Sequence, residues 1–188
     1  AGVPASFKTR CIPSASSITI LALVNVLYLM FAGVQFAYLF GAWAGNLPAG
    51  VNPAEYARNG FFELAFISCI NIAILLLSIR LTERKGNAGL IIRCLSIGLL
   101  VLSFVQLLSA MQRMNLYILA FGLTRLRYFV FAFMILMAVY FVFLLVKEFV
   151  PVFPIFRSMV FAGALALVVL NYTVPDARIA EYNISSYK

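Results

Sequence analysis

The chain alternates membrane-length apolar runs with short charged breaks. Residues 11–45 carry no charge, and the stretch 18–45 is long enough for one tilted or bent membrane helix. Further apolar runs over 60–79, 90–112, 128–146 and 158–174 predict four more helices. The breaks between them carry Pro48, Gly50, Pro53, Glu55 and Arg58, then Arg80, Glu83, Arg84 and Lys85, then Lys147, Glu148, Pro151, Pro154 and Arg157. The pattern therefore predicts an all-α, polytopic transmembrane bundle of about five helices. It forms a single domain over residues 1–188.

One break is itself oily and organised. It reads Arg113-Met114-Asn115-Leu116-Tyr117 and then Gly122-Leu123-Thr124-Arg125-Leu126-Arg127. Its 11 uncharged residues, 114–124, would cover about 16 Å as a helix, roughly half the hydrocarbon core. The connector between helices three and four is thus expected to be interfacial or re-entrant.

Composition fixes the class: 64% of residues are hydrophobic, 11% are charged, and the mean hydropathy is +1.04. A net charge of +8 comes from 14 Lys and Arg against 6 Asp and Glu. These bases sit beside apolar runs, which favours anionic lipid headgroups as partners and argues against nucleic acid. Five crossings put eight bases on one face (Lys8, Arg10, Arg80, Arg84, Lys85, Arg93, Lys147, Arg157) and six on the other (Arg58, Arg113, Arg125, Arg127, Arg178, Lys188). The positive-inside rule then predicts a cytoplasmic N-terminus.

Chemistry is sparse. With no histidine, and with Cys11, Cys69 and Cys94 at unpaired spacings, neither a zinc site nor a Cys/His catalytic pair is built. No phosphate-cradling glycine loop, acidic pair at metal-ligand spacing or nucleophile elbow occurs. The expectation is a non-enzymatic protein with no cofactor.

Two packing features stand out. Gly33, Ala37, Gly41 and Gly45 recur every four residues on helix one, a seam where another backbone could approach closely, either from this chain or from a second membrane protein. Asn59, Glu63, Asn71 and Ser78 share one face of helix two, and Ser96, Ser103, Gln106, Ser109 and Arg113 share one face of helix three. Polar atoms in hydrocarbon cost free energy unless partnered, so both stripes should face the bundle interior. There they either hydrogen-bond between helices or line a path for a polar substrate.

Three segments carry a family resemblance. Tyr56-Ala57-Arg58-Asn59-Gly60-Phe61-Phe62-Glu63-Leu64, the Arg113-to-Arg127 connector, and Pro175-Asp176-Ala177-Arg178-Ile179-Ala180-Glu181-Tyr182-Asn183 resemble, in order and spacing, a bacterial multi-pass membrane family known as domain of unknown function 4173, with its sister 4153. The family often has an acidic residue between the Tyr and the Gly of the connector, where this chain has Ile118-Leu119-Ala120. The resemblance implies that the chain is the C-terminal membrane portion of a longer protein in a bacterial plasma membrane. It supplies no activity.

Five-helix alternation puts all three motifs on the outer face, and they define a candidate site there of Arg58, Glu63, Tyr117, Thr124, Arg125, Arg127, Asp176 and Asn183. Arg125 and Arg127 are expected to bind Glu63 or Asp176 as a clasp, or to hold a lipid phosphate or a partner's acid. The functional expectation is a non-enzymatic integral membrane subunit, sensor or assembly partner. The alternative is a transporter or lipid-handling protein with a polar path between helices two and three.

Overall fold

The computed structural model describes residues 12–43 and 53–186, and the side chains of 12–33, 65–119 and 121–185. Six helices follow in order: α1 (Ser14–Trp43), α2 (Pro53–Leu81), α3 (Gly86–Phe121), α4 (Arg125–Phe149), α5 (Ile155–Tyr172) and α6 (Pro175–Ser186). Among the described residues α1, α3, α4 and α5 contain spans long and apolar enough to cross a membrane, and α2 adds the shorter apolar stretch Ala65–Leu81. The polytopic bundle is the one its hydropathy predicts.

Helix α3 is the axis. It packs against α1, α2 and α4, whereas α5 and α6 lean on α4. The buried core follows this arrangement, with Leu75, Ile92, Leu99, Leu107, Met134 and Phe141 among its most enclosed side chains. Large apolar side chains elsewhere point outward, including Met30, Phe66, Phe161 and Leu167. That is the inverse of a water-soluble surface and suits contact with lipid.

Of the polar stripes of α2 and α3, Asn71, Ser78, Ser96, Ser103, Gln106 and Ser109 are buried in the interior. Tyr28 Oη donates to Asn71 Oδ1 at 2.6 Å, Asn71 Nδ2 donates to Ser103 Oγ at 2.7 Å, and Ser103 Oγ donates to the Leu99 carbonyl at 2.7 Å. One relay therefore ties α1, α2 and α3. Interhelical hydrogen bonds in a bilayer contribute only about 0.6 kcal/mol each on average, so this relay fixes register more than it adds stability. Asn25 Nδ2 adds bonds to the Leu21 and Leu95 carbonyls at 2.7 and 3.1 Å.

Small residues do permit close approach, but on α3. A Cβ built on Gly98 would lie 3.0 Å from Asn25 Oδ1, whereas one on Gly33 would meet nothing within 4 Å. Among the described residues nothing packs against Gly33. The side chains of the remaining seam positions, Ala37 and Gly41, lie outside the described ones, as does Gly45 altogether.

One expectation needs correction. The connector is not a separate re-entrant segment, because α3 continues without a break through it to Phe121 and only Gly122 to Thr124 turn the chain. Its apolar residues supply two further helical turns, and a helix already nucleated continues at lower cost than a new loop. Beyond the five predicted helices, Pro175 opens a sixth, as proline does well at a first helical position.

Candidate functional site

At one end of the bundle Gly122 closes α3 with φ 74° and ψ 174°. Glycine enters this region without a side-chain clash. The missing Cβ matters twice, because it would lie 3.0 Å from Asn183 Oδ1. Into that space Asn183 reaches from α6. Its Oδ1 accepts from the Leu123 N–H at 2.8 Å and its Nδ2 donates to the Leu123 carbonyl at 3.0 Å. Both backbone groups of a turn residue are thus satisfied by one side-chain amide.

A second fastening lies alongside. Arg125 Nε donates to Asp176 Oδ1 at 2.7 Å and its Nη2 donates to Oδ2 at 2.6 Å, a bidentate pair between the first turn of α4 and the first turn of α6. Asp176 also suits the positive N-terminus of α6. Arg127 turns the other way. Its guanidinium lies 4.1 Å from the Tyr117 ring centroid, and its Nη1 donates to the carbonyls of Phe121 and Gly122. Those carbonyls end α3, where orphan acceptors and the negative pole of the helix attract a cation. Thr124 stands at the N-cap of α4 with no side-chain cap bond, and its carbonyl accepts from Tyr128 N at 2.9 Å.

Six of the eight sequence-derived positions, namely Tyr117, Thr124, Arg125, Arg127, Asp176 and Asn183, therefore meet around one turn. Arg58 and Glu63 lie on α2 with side chains outside the described ones. The ion pair anticipated for Arg125 or Arg127 falls on Arg125 and Asp176. Chemically the cluster is a fastener that holds α6 across the α3–α4 turn.

The opposite end holds a pair that the sequence reading passed over. By charge alone Glu148 marks a break in the chain before the last helix. It is buried at 5% exposure, and its Oε2 accepts from Arg84 Nη1 at 2.6 Å. Arg84 Nη2 also reaches Ser78 Oγ and Ser96 Oγ at 3.4 and 3.5 Å. A signal was present: Met134, Met137, Phe141, Leu144 and Glu148, the buried residues of α4, follow an alternating spacing of three and four. Glu148 is the next member of the core stripe. At this end Ile12 N also donates to the Leu81 carbonyl at 3.2 Å, and Ser17 Oγ bonds Thr82 Oγ1 at 2.6 Å.

Fold and site together define a multi-pass membrane bundle whose ends are each fastened by an arginine–carboxylate pair. The chain belongs to the family described as Domain of unknown function (DUF4153), whose model matches residues 3–188. The match extends through the first helix, ahead of the motifs from Tyr56 onward. No curated protein and no solved structure matches the chain.

Proposed function

We propose that this chain is a non-enzymatic integral membrane subunit or assembly partner of a bacterial plasma membrane, acting through helix packing and through its fastened end. One observation carries the reading. The polar side chains that converge at the α3–α4 turn are bound to one another and to backbone groups, so their chemistry serves to hold shape. Helix α1 supports it: Val26 and Met30 are exposed at 56% and 69%, and the open Gly33 continues the same face, leaving room for a second membrane protein. The end carrying Arg80, Arg84, Lys85, Arg93, Lys147 and Arg157 faces the cytoplasm on this reading, and the fastened turn faces out.

The test is native electrophoresis of the natural full-length protein extracted in mild detergent, with Gly33→Leu and Asn183→Ala beside it. A discrete larger species of fixed stoichiometry, weakened by either variant, is expected. A single-chain species unaffected by both overturns the proposal.

A second reading, a transporter with a polar path between α2 and α3, is favoured by one specific observation. Gln106 Nε2 and Oε1 and Ser109 Oγ are buried with no hydrogen-bond partner among the described residues. They extend the row of Ser96 and Ser103 along α3, about 20 Å from Ser96 to Ser109. Polar atoms left unpaired in an apolar interior usually have a reason. Solute flux into proteoliposomes that disappears in Gln106→Leu supports this reading, and flux identical in the variant removes it.

A further inference from the structure

We propose that the cleft between α3, α4 and α6 binds an anionic phospholipid, with an acyl chain along α4 and the phosphate at Arg127. The cleft encloses about 290 Å³. Ile118 and Tyr128 line it nearer the α3–α4 turn, and Asn115, Phe131 and Ile135 lie about a turn or more further along the two helices. From Tyr128 to Ile135 the helix rises about 10 Å. Most of this lining is apolar, as an acyl chain requires.

Its depth in the bilayer follows from two arginines. Arg93 and Arg113 lie twenty residues apart on α3, about 30 Å of helix, which matches the hydrocarbon thickness. Arg93 stacks on Phe149 at 5.1 Å, level with the end of α4. Placing Arg93 and Arg113 at the two boundaries puts the last turns of α3, and with them the cleft, astride the hydrocarbon–headgroup border. A charged side chain elsewhere on this span would be far more costly.

Charge selects the headgroup. At this end Arg125 is neutralised by Asp176, and Arg178 lies 3.7 Å from Glu181. Arg127 differs: among the described residues it meets the Tyr117 ring and two neutral carbonyls, and no carboxylate. Both bonds leave from Nη1, so Nε and Nη2 present the fork that suits a phosphate. Arg127 sits next to Tyr128 of the rim and is bonded to the carbonyl of Gly122, next to Leu123, which also lines the cleft. The occupant is a lipid rather than a partner helix, because a helix is roughly 10–12 Å wide and does not fit so small a cleft.

The experiment is native mass spectrometry of the natural full-length protein, released from nanodiscs of phosphatidylcholine with a minor share of phosphatidylglycerol. The expected result is selective retention of phosphatidylglycerol, reduced about tenfold or more in Arg127→Gln, the range of a charge-assisted hydrogen-bond pair. Arg178→Gln should retain it as the parent does. Because Arg127 also supports the turn, Ile135→Trp is the second variant: it fills the apolar part of the cleft, leaves the turn untouched, and should also lose the lipid. Equal retention of the two lipids, unchanged selectivity in both variants, or displacement of the lipid by inorganic phosphate would each overturn the proposal, the last by showing a free-anion site.

Discussion

Removing Arg84 should destabilise the bundle more than removing Glu148, although the two share one bond. The Glu148 side chain is 1% exposed and the Arg84 side chain 22%. In Arg84→Met the carboxylate is stranded. Its second oxygen, Oε1, already has no partner among the described residues, so both oxygens are then buried unpaired. Breaking a buried pair this way costs about 3–5 kcal/mol. For a protein of this size that corresponds to a fall of roughly 6–20 °C in melting temperature. In Glu148→Gln the guanidinium keeps Ser78 and Ser96 within reach and its stem can carry the charge toward the surface. A loss of about 1–3 kcal/mol is expected there. The double variant Arg84→Met/Glu148→Leu should recover much of the loss, since an apolar pair of similar volume is often as stable as a buried ion pair. Thermal melting of the four proteins in one detergent measures all three differences. A double variant no more stable than Arg84→Met, or a larger loss in Glu148→Gln than in Arg84→Met, would refute the account of Glu148 as a carboxylate held in the interior by Arg84.

The remaining expectations concern the other end and the first helix. Asn183→Ala removes both bonds to Leu123, and hydrogen exchange should speed up at the Leu123 amide and across α6 while the core of α3 is unchanged; protection equal to the parent would contradict the fastener. Gly122→Ala should cost about 1–3 kcal/mol in thermal melting, because the residue must hold a positive φ and its Cβ meets Asn183, and an unchanged melting temperature would show that the turn relaxes freely. Val174 has φ 41° between α5 and α6, so Val174→Gly should stabilise by about 1 kcal/mol, whereas a loss would mean that its side chain packs. Gly33→Leu should leave the melting of the isolated chain within about 0.5 kcal/mol of the parent, and a clear fall would place another helix of this chain against it. Cysteines at Asn87 and Ser185, in a background lacking the native thiols, should label from opposite sides of the membrane, the first from the cytoplasm.

Hydropathy carried the fold because in a bilayer the apolar runs are the structure, and five runs in the sequence correspond to α1–α5. Charge and alternation were enough to bring Arg125 and Asp176 to the same end. What they could not reveal was where α3 stops, because Asn115 to Phe121 is as compatible with helix as with an interfacial loop, and the decision lies in Gly122 and in the side chain of Asn183, 60 residues away in sequence. The amide that satisfies Leu123 is a long-range contact with no local pattern. Glu148 was missed for a different reason: it was read by its charge, as a boundary, when its position in the stripe from Met134 made it interior. The close approach of α1 to α3 falls at Gly98, a lone glycine outside any repeat, which no periodic pattern announces.

The two arginine–carboxylate pairs that close the bundle differ in what reaches them. Arg125 and Asp176 are 68% and 63% exposed, whereas the Glu148 carboxylate is 1% exposed. Dissolved ions screen exposed charges beyond about 8 Å at physiological ionic strength and compete for them directly, but they scarcely touch a pair inside protein. Raising the salt concentration therefore loosens one end of this bundle and leaves the other closed. In one protein the hold on α6 becomes a variable set by the surrounding electrolyte, while the junction of α2, α3 and α4 stays fixed.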